Sequence, residues 1–153
     1  MFRVTRAEEQ AVRLIMRLAV VGEQLTLSDL ALAEDLPEPT VAKLLGMLRR
    51  GGVVEAVRGR NGGYVLSRSP DQTSAASVIR SISGEQVFTY PCSEASEQPD
   101  CPRPDNCGLR PVWQHLGSRV AEILEQTSIA DLLRKEEAAS ANLQNLWPLA
   151  RKS

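Results

Sequence analysis

The 153-residue sequence is 42% hydrophobic and 24% charged, with a net charge of −1, which suits one domain with a real core or one small domain with an extension. No run approaches the roughly 20 apolar residues of a membrane span, and no charged-then-apolar leader opens it, so a soluble, cytoplasmic protein without a membrane partner is expected. The basic charge is local: between residues 40 and 70, Lys43, Arg49, Arg50, Arg58, Arg60 and Arg68 stand against one acid, Glu55, while the chain from residue 71 onward is mildly acidic.

Thr5-Arg-Ala-Glu8 reads as a capping box, a threonine hydroxyl and a glutamate three residues on satisfying each other's backbone amides, and predicts a helix start. Ala11, Leu14, Ile15, Leu18 and Ala19 then recur at three- and four-residue steps, one buried face ending near Gly22. Thr26-Leu-Ser-Asp29 repeats the signature before Leu27, Leu30, Ala31 and Ala33, a short second helix that ends before Pro37. A third opens with Pro39 at its first position, turns Val41, Leu44, Leu45 and Leu48 inward, and stops at Gly51-Gly52. Its other face carries Thr40, Lys43 and Arg50. Two short helices across a three- or four-residue break, the second basic outside, are a helix-turn-helix candidate for double-stranded DNA. The competing reading is a plain helical hairpin with solvated bases.

Val53, Val54, Ala56 and Val57 predict a strand, Arg58-Gly-Arg-Asn-Gly-Gly63 a turn able to take positive φ, and Tyr64-Val-Leu66 the returning strand. Arg58 and Arg60 at the tip of a narrow ribbon suit a minor groove or a phosphate. Three helices followed by a basic hairpin make a winged helix-turn-helix. After a break at Pro70-Asp71, Thr73 or Ser74 caps a short helix carrying Ala76, Val78, Ile79 and Ile82 and ending at Gly84. This helix is expected to pack under the DNA-reading half.

The stretch from Tyr90 to Cys107 holds all three cysteines, Cys92, Cys101 and Cys107, spaced C-x8-C-x5-C, with Pro91, Pro99, Pro102, Pro104 and Pro111 in or just after it. That proline density excludes helix and central strand, and a loop of such length is commonly functional or disordered. An odd cysteine count argues against a disulfide framework. Structural zinc wants four ligands and close cysteine pairs, whereas an iron–sulfur cluster is thiolate-bound and tolerates one non-cysteine ligand. His115, the only histidine, lies eight residues beyond Cys107.

Pro111 is expected to open the longest helix. Trp113, Leu116, Val120, Ile123 and Thr127 fall along it at three- and four-residue steps, the seam of a helix pair and hence of a homodimer on a palindromic operator; the competing reading is intrachain core. Ile129-Ala-Asp-Leu-Leu133 predicts a short last helix, followed by a solvated charge run at Arg134–Glu137 and a weakly specified tail. The expected organisation is mainly α: DNA-binding region 1–70, connecting helix and cysteine loop 71–110, dimerisation helix and short helix 111–137, tail 138–153. No phosphate loop, nucleophile elbow or carboxylate pair with a histidine appears, so no enzyme is expected.

Arg-Gly-Arg-Asn-Gly-Gly-Tyr-Val-Leu at 58–66, together with the three-cysteine loop, resembles the IscR/NsrR-type iron–sulfur regulators of the Rrf family over about Val4 to Leu133. The resemblance implies a transcriptional regulator, expected to be a repressor, whose DNA affinity is controlled by a 2Fe-2S or 4Fe-4S cluster on Cys92, Cys101 and Cys107. It leans toward control of iron–sulfur assembly or iron homeostasis. Nitric-oxide sensing and a cluster-free winged-helix regulator that senses through thiols or binds a partner are the alternatives. Relatives that ligate through histidine place it three residues after the last cysteine, where this sequence has Arg110, a side chain that cannot ligate. In others a carboxylate near the start of the first helix reaches across the dimer. Matching Val4-Thr5 to their opening puts Glu9 of the partner subunit in that role, with Glu8 committed to the capping box and Glu8, His115 or solvent as fallbacks.

Overall fold

A computed structural model of the chain describes residues 4–60, 62–84 and 107–146, with side chains as far as residue 138. Cys92 and Cys101, Asn61 at the wing tip, and Trp147 and Leu149 of the tail lie outside the described residues. Helix α1 (Arg6–Val21) begins at the expected box: the Glu8 amide donates to Thr5 Oγ1 at 3.2 Å and the Thr5 amide to Glu8 Oε2 at 2.6 Å. It ends where Gly22 takes a left-handed φ of 70°, a conformation glycine reaches without steric cost. Glu8 also accepts from the Ser83 hydroxyl, tying the start of α1 to a segment 75 residues away. Burial pushes the Glu8 carboxyl up, but the bonds from Ser83 and Thr5 together outweigh it and leave the pKa lowered.

Helix α2 (Leu27–Glu34) starts at the Thr26–Asp29 box, and α3 (Glu38–Arg50) follows after three residues. Pro39 stands at the second position of α3 rather than the first, which costs nothing because that amide is also without an intrahelical partner. Strands β1 (Val54–Val57) and β2 (Gly63–Leu66) pair antiparallel, Val54 opposite Leu66 and Val57 opposite Gly63. Leu25, just ahead of α2, adds a bridge to this ribbon through two bonds with Tyr64 at 2.8 and 3.1 Å. A Cβ on Gly63 would come within 2.5 Å of the Leu25 carbonyl oxygen, so this close approach requires glycine.

A 3-10 turn (Pro70–Gln72) leads to α4 (Ala75–Ser83), capped by the Ser74 hydroxyl and packed against both α1 and α3. The core is continuous: Leu14, Ile15 and Leu18 of α1, Leu30 of α2, Leu45 and Leu48 of α3, Val54 of β1, Val78 of α4 and Ile129 of the last helix are essentially inaccessible and touch as one cluster. Each such side chain contributes roughly 1.5–3 kcal/mol by its burial.

The C-terminal part departs from expectation twice. Helix α5 (Leu109–Gln126) begins two residues before Pro111, which sits at the third position, again among unpaired amides. The last helix, expected to be short, runs as α6 from Ile129 to Leu146, so α5 and α6 are equal at 18 residues. It starts from a further box, in which Ser128 N–H donates to Asp131 at 3.0 Å and Asp131 N–H to Ser128 Oγ at 3.0 Å. All four residues of the charge run at Arg134–Glu137 are exposed within that helix, and the alanines beyond it are strong helix formers. The start of α6 is clasped to that of α4 by Ala75 N–H to Thr127 O and Ile129 N–H to Thr73 O, and α6 returns onto α1. Helix α5 has no buried residue. Val120 is half-buried, and Trp113, Leu116 and Ile123 remain 36, 43 and 60% exposed, so the described residues leave this row open.

Candidate DNA interface and metal-ligand residues

The α2–α3 turn is made by Asp35, which takes φ 52° and donates its amide to the carbonyls of Ala31 and Leu32. Pro37, extended at ψ 135°, then redirects the chain into α3. Two clasps set the angle. Ser28 Oγ donates to Glu38 Oε1 at 2.6 Å across the turn, while Glu34, only 7% exposed, accepts from Arg13 at 3.0 Å and Arg17 at 2.7 Å on α1. A buried carboxylate held by two half-exposed guanidinium groups is costly to break from the arginine side, because removing its partners strands a buried charge. The helix pair is thus fixed to α1 by charge as well as by Leu30.

With Val41, Leu44, Leu45 and Leu48 buried, the opposite side of α3 is open: Lys43 and Arg50 are exposed and Thr40 is partly so. On the wing Arg58 and Arg60 are exposed on either side of Gly59, whose φ is 132°. None of Lys43, Arg50, Arg58 or Arg60 has a carboxylate partner among the described residues, so their charge is free for an external anion. Sequence reasoning passed over Arg49, exposed in the last turn of α3. It also missed Glu34, whose role depends on a contact 17 and 21 residues away.

Of the three cysteines, Cys107 is described: a free, half-buried thiol one residue before Gly108, the N-cap of α5. Its carbonyl accepts from the Arg110 amide at 3.3 Å, and Arg110 Nε is buried without a partner among the described residues. A buried guanidinium nitrogen in the first turn of a helix and a thiol just ahead of that helix's N-terminus, the positive end of the dipole, suit an anionic group. A thiolate-ligated cluster fits that chemistry. Glu9 is exposed, lines an open concavity with Val4, Thr5 and Arg6, and lies 3.7 Å from Arg13. His115 is exposed on α5. Among the described residues no three cysteine, histidine, aspartate or glutamate side chains gather to hold a metal ion, and none of the described helices is long and apolar enough to cross a membrane.

Comparison with known proteins agrees with this geometry. The profile of the Rrf2 family, whose description is iron-dependent transcriptional regulator, matches residues 4–135. Protein aau3 of Rhizobium meliloti is 35% identical over 133 residues, covering 86% of this chain and 85% of its own. The structure of T. potens IscR superposes with a TM-score of 0.70 at 26% identity over 90% of each chain. That of CymR (YrzC), the global cysteine regulator of B. subtilis, gives 0.71 at 25% identity over 86% of this chain and 96% of that one. The mainly helical winged fold, the two-stranded wing and the match over 132 residues lead to one conclusion: the chain belongs to the Rrf2 family and is a DNA-binding transcriptional regulator, not an enzyme.

Proposed function

We propose that this regulator is of the IscR/NsrR type and acts as a homodimeric repressor whose affinity for a palindromic operator depends on an iron–sulfur cluster. Cys92, Cys101 and Cys107 of one subunit and Glu9 of the other would hold the cluster. The observation that carries the reading is the placement of Cys107 just ahead of the positive end of α5, its backbone bonded to that of Arg110, whose Nε is buried without a partner among the described residues. The bound group would supply a redox- and nitric-oxide-sensitive crosslink between the cysteine loop and the helices. Its loss changes DNA affinity only as far as the two states differ in free energy. Glu9 presently faces Arg13, which also holds Glu34 of α2, so the carboxylate proposed as ligand is linked through one arginine to the helix-turn-helix. Control of iron–sulfur assembly or iron homeostasis is the role this reading favours, with nitric-oxide sensing as its variant.

A cluster-free regulator whose thiols respond directly to oxidants is the second reading. It is favoured by the likeness to CymR, a regulator named for cysteine. Anaerobic purification followed by reconstitution separates the two. The first expects a brown protein with visible charge-transfer absorption and stoichiometric iron and sulfide, lost in Cys107→Ser. A colourless, iron-free protein after reconstitution overturns it and leaves the thiol reading.

A further inference from the structure

Along α3 the residues Pro39, Lys43, Gly46 and Arg50 recur at steps of four, three and four, and so share the side opposite Val41, Leu44, Leu45 and Leu48. Gly46 is in the middle of that row, inside a 13-residue helix. Glycine there is unfavourable relative to alanine, because it loses more backbone freedom and buries nothing. Other glycines of this half of the chain have an internal reason. A Cβ on Gly51 would meet the Ser81 side chain at 2.0 Å, one on Gly62 the Val57 carbonyl oxygen at 2.6 Å, and Gly22, Gly52 and Gly59 have positive φ. Gly46 has none of these. A Cβ there would find its nearest neighbour, the Arg50 Nη1 at the end of a flexible exposed side chain, at 3.7 Å, an ordinary contact.

The helix therefore carries a destabilising residue that its own fold does not need, at the centre of a side where Lys43 and Arg50 have no carboxylate partner among the described residues. We propose that Gly46 is the point of closest approach between α3 and the base edges in the DNA major groove, and that its missing side chain sets how deep the helix seats. Phosphate contacts position a protein on the duplex while approach to base edges reads sequence, so a residue that sets how deep the groove-facing side of α3 seats governs sequence discrimination rather than general affinity. A methyl there stands about 1.5 Å further out from the Cα. Direct base contacts weaken steeply once donor and acceptor part beyond about 3.2 Å, so neighbouring side chains would lose theirs.

The inference rests on α3 being the DNA-reading helix. Its test uses the full-length protein, a duplex selected by the wild type from a random-sequence pool, and a scrambled duplex of equal length. Gly46→Ala is expected to raise Tm by about 2–4 °C, to weaken binding to the selected duplex by about tenfold or more, and to change binding to the scrambled duplex by less than about twofold. Unchanged affinity for the selected duplex overturns the proposal. So does an equal loss on both duplexes, which would put this face against phosphates, or a fall in Tm, which would give the glycine an internal role. Lys43→Ala and Arg60→Ala, measured alongside, keep the two claims apart: if neither weakens binding, the DNA-reading assignment of α3 and the wing fails, whereas if they weaken it and Gly46→Ala does not, only the glycine proposal fails.

Discussion

A Trp113→Asp substitution addresses the proposed dimer directly. Trp113 leaves 36% of its surface open in the protomer, about 90 Å² of the ~250 Å² a tryptophan can bury. Covering both copies across a two-fold axis at about 25 cal/mol/Å² contributes about 4–5 kcal/mol. At 1.4 kcal/mol per decade this is about a thousandfold in the dimer dissociation constant. Aspartate forfeits that term and adds the desolvation of a carboxylate facing Leu116 and Ile123 of the seam, a further few kcal/mol. Because α5 has no buried residue, the change should leave the protomer fold intact, with unchanged helical content and near-unchanged Tm. Sedimentation equilibrium is expected to give a wild-type dimer and a monomeric variant at micromolar concentration, the latter unable to bind a palindromic duplex. A wild type already monomeric at micromolar concentration, or a variant that still dimerises with wild-type affinity, refutes the seam.

Arg60→Ala is expected to weaken operator binding by about 1–3 kcal/mol if the wing enters a groove, or to lower the salt slope by about one if it meets only a phosphate; fluorescence anisotropy across a salt series reads both, and no change in either removes the wing from the interface. Glu9→Ala should make a reconstituted cluster more labile with folding unchanged, whereas Glu8→Ala, losing the bonds from Thr5 and Ser83, should chiefly cost stability, about 1–3 kcal/mol. Identical cluster spectra and lifetimes for Glu9→Ala and wild type would assign the fourth ligand elsewhere. Asp131 is held down to about 2 from its ordinary 3.8, first by the Ser128 amide, then by the Arg134 guanidinium and the Ser128 hydroxyl. A depressed carboxylate contributes stability that is present above the ordinary value and lost as pH falls from about 4 toward 2. Asp131→Asn should therefore flatten the acid limb of Tm against pH, and superimposable acid limbs would contradict the assignment.

What the sequence determined by itself is local. The boxes at Thr5–Glu8 and Thr26–Asp29, the left-handed stop at Gly22, the inward rows on α1 and α3 and the basic hairpin all follow from interactions within four residues or one turn, and each stands where its spacing placed it. The Ser128–Asp131 box that launches α6 was equally legible as serine followed three residues on by aspartate. Its oversight, with the charge run taken as a stop, shortened that helix, although a solvated face is compatible with helix. Tertiary structure decided the rest, because it joins residues that no local rule pairs: Glu34 with Arg13 and Arg17, Glu8 with Ser83, Leu25 with Tyr64, and Gly51 with Ser81. It also decided which apolar rows are satisfied within the chain. The periodicity of α5 is the same whether its face meets its own protomer or another; the packing of the described residues leaves Trp113, Leu116 and Ile123 open, and the dimer proposal rests on that surface.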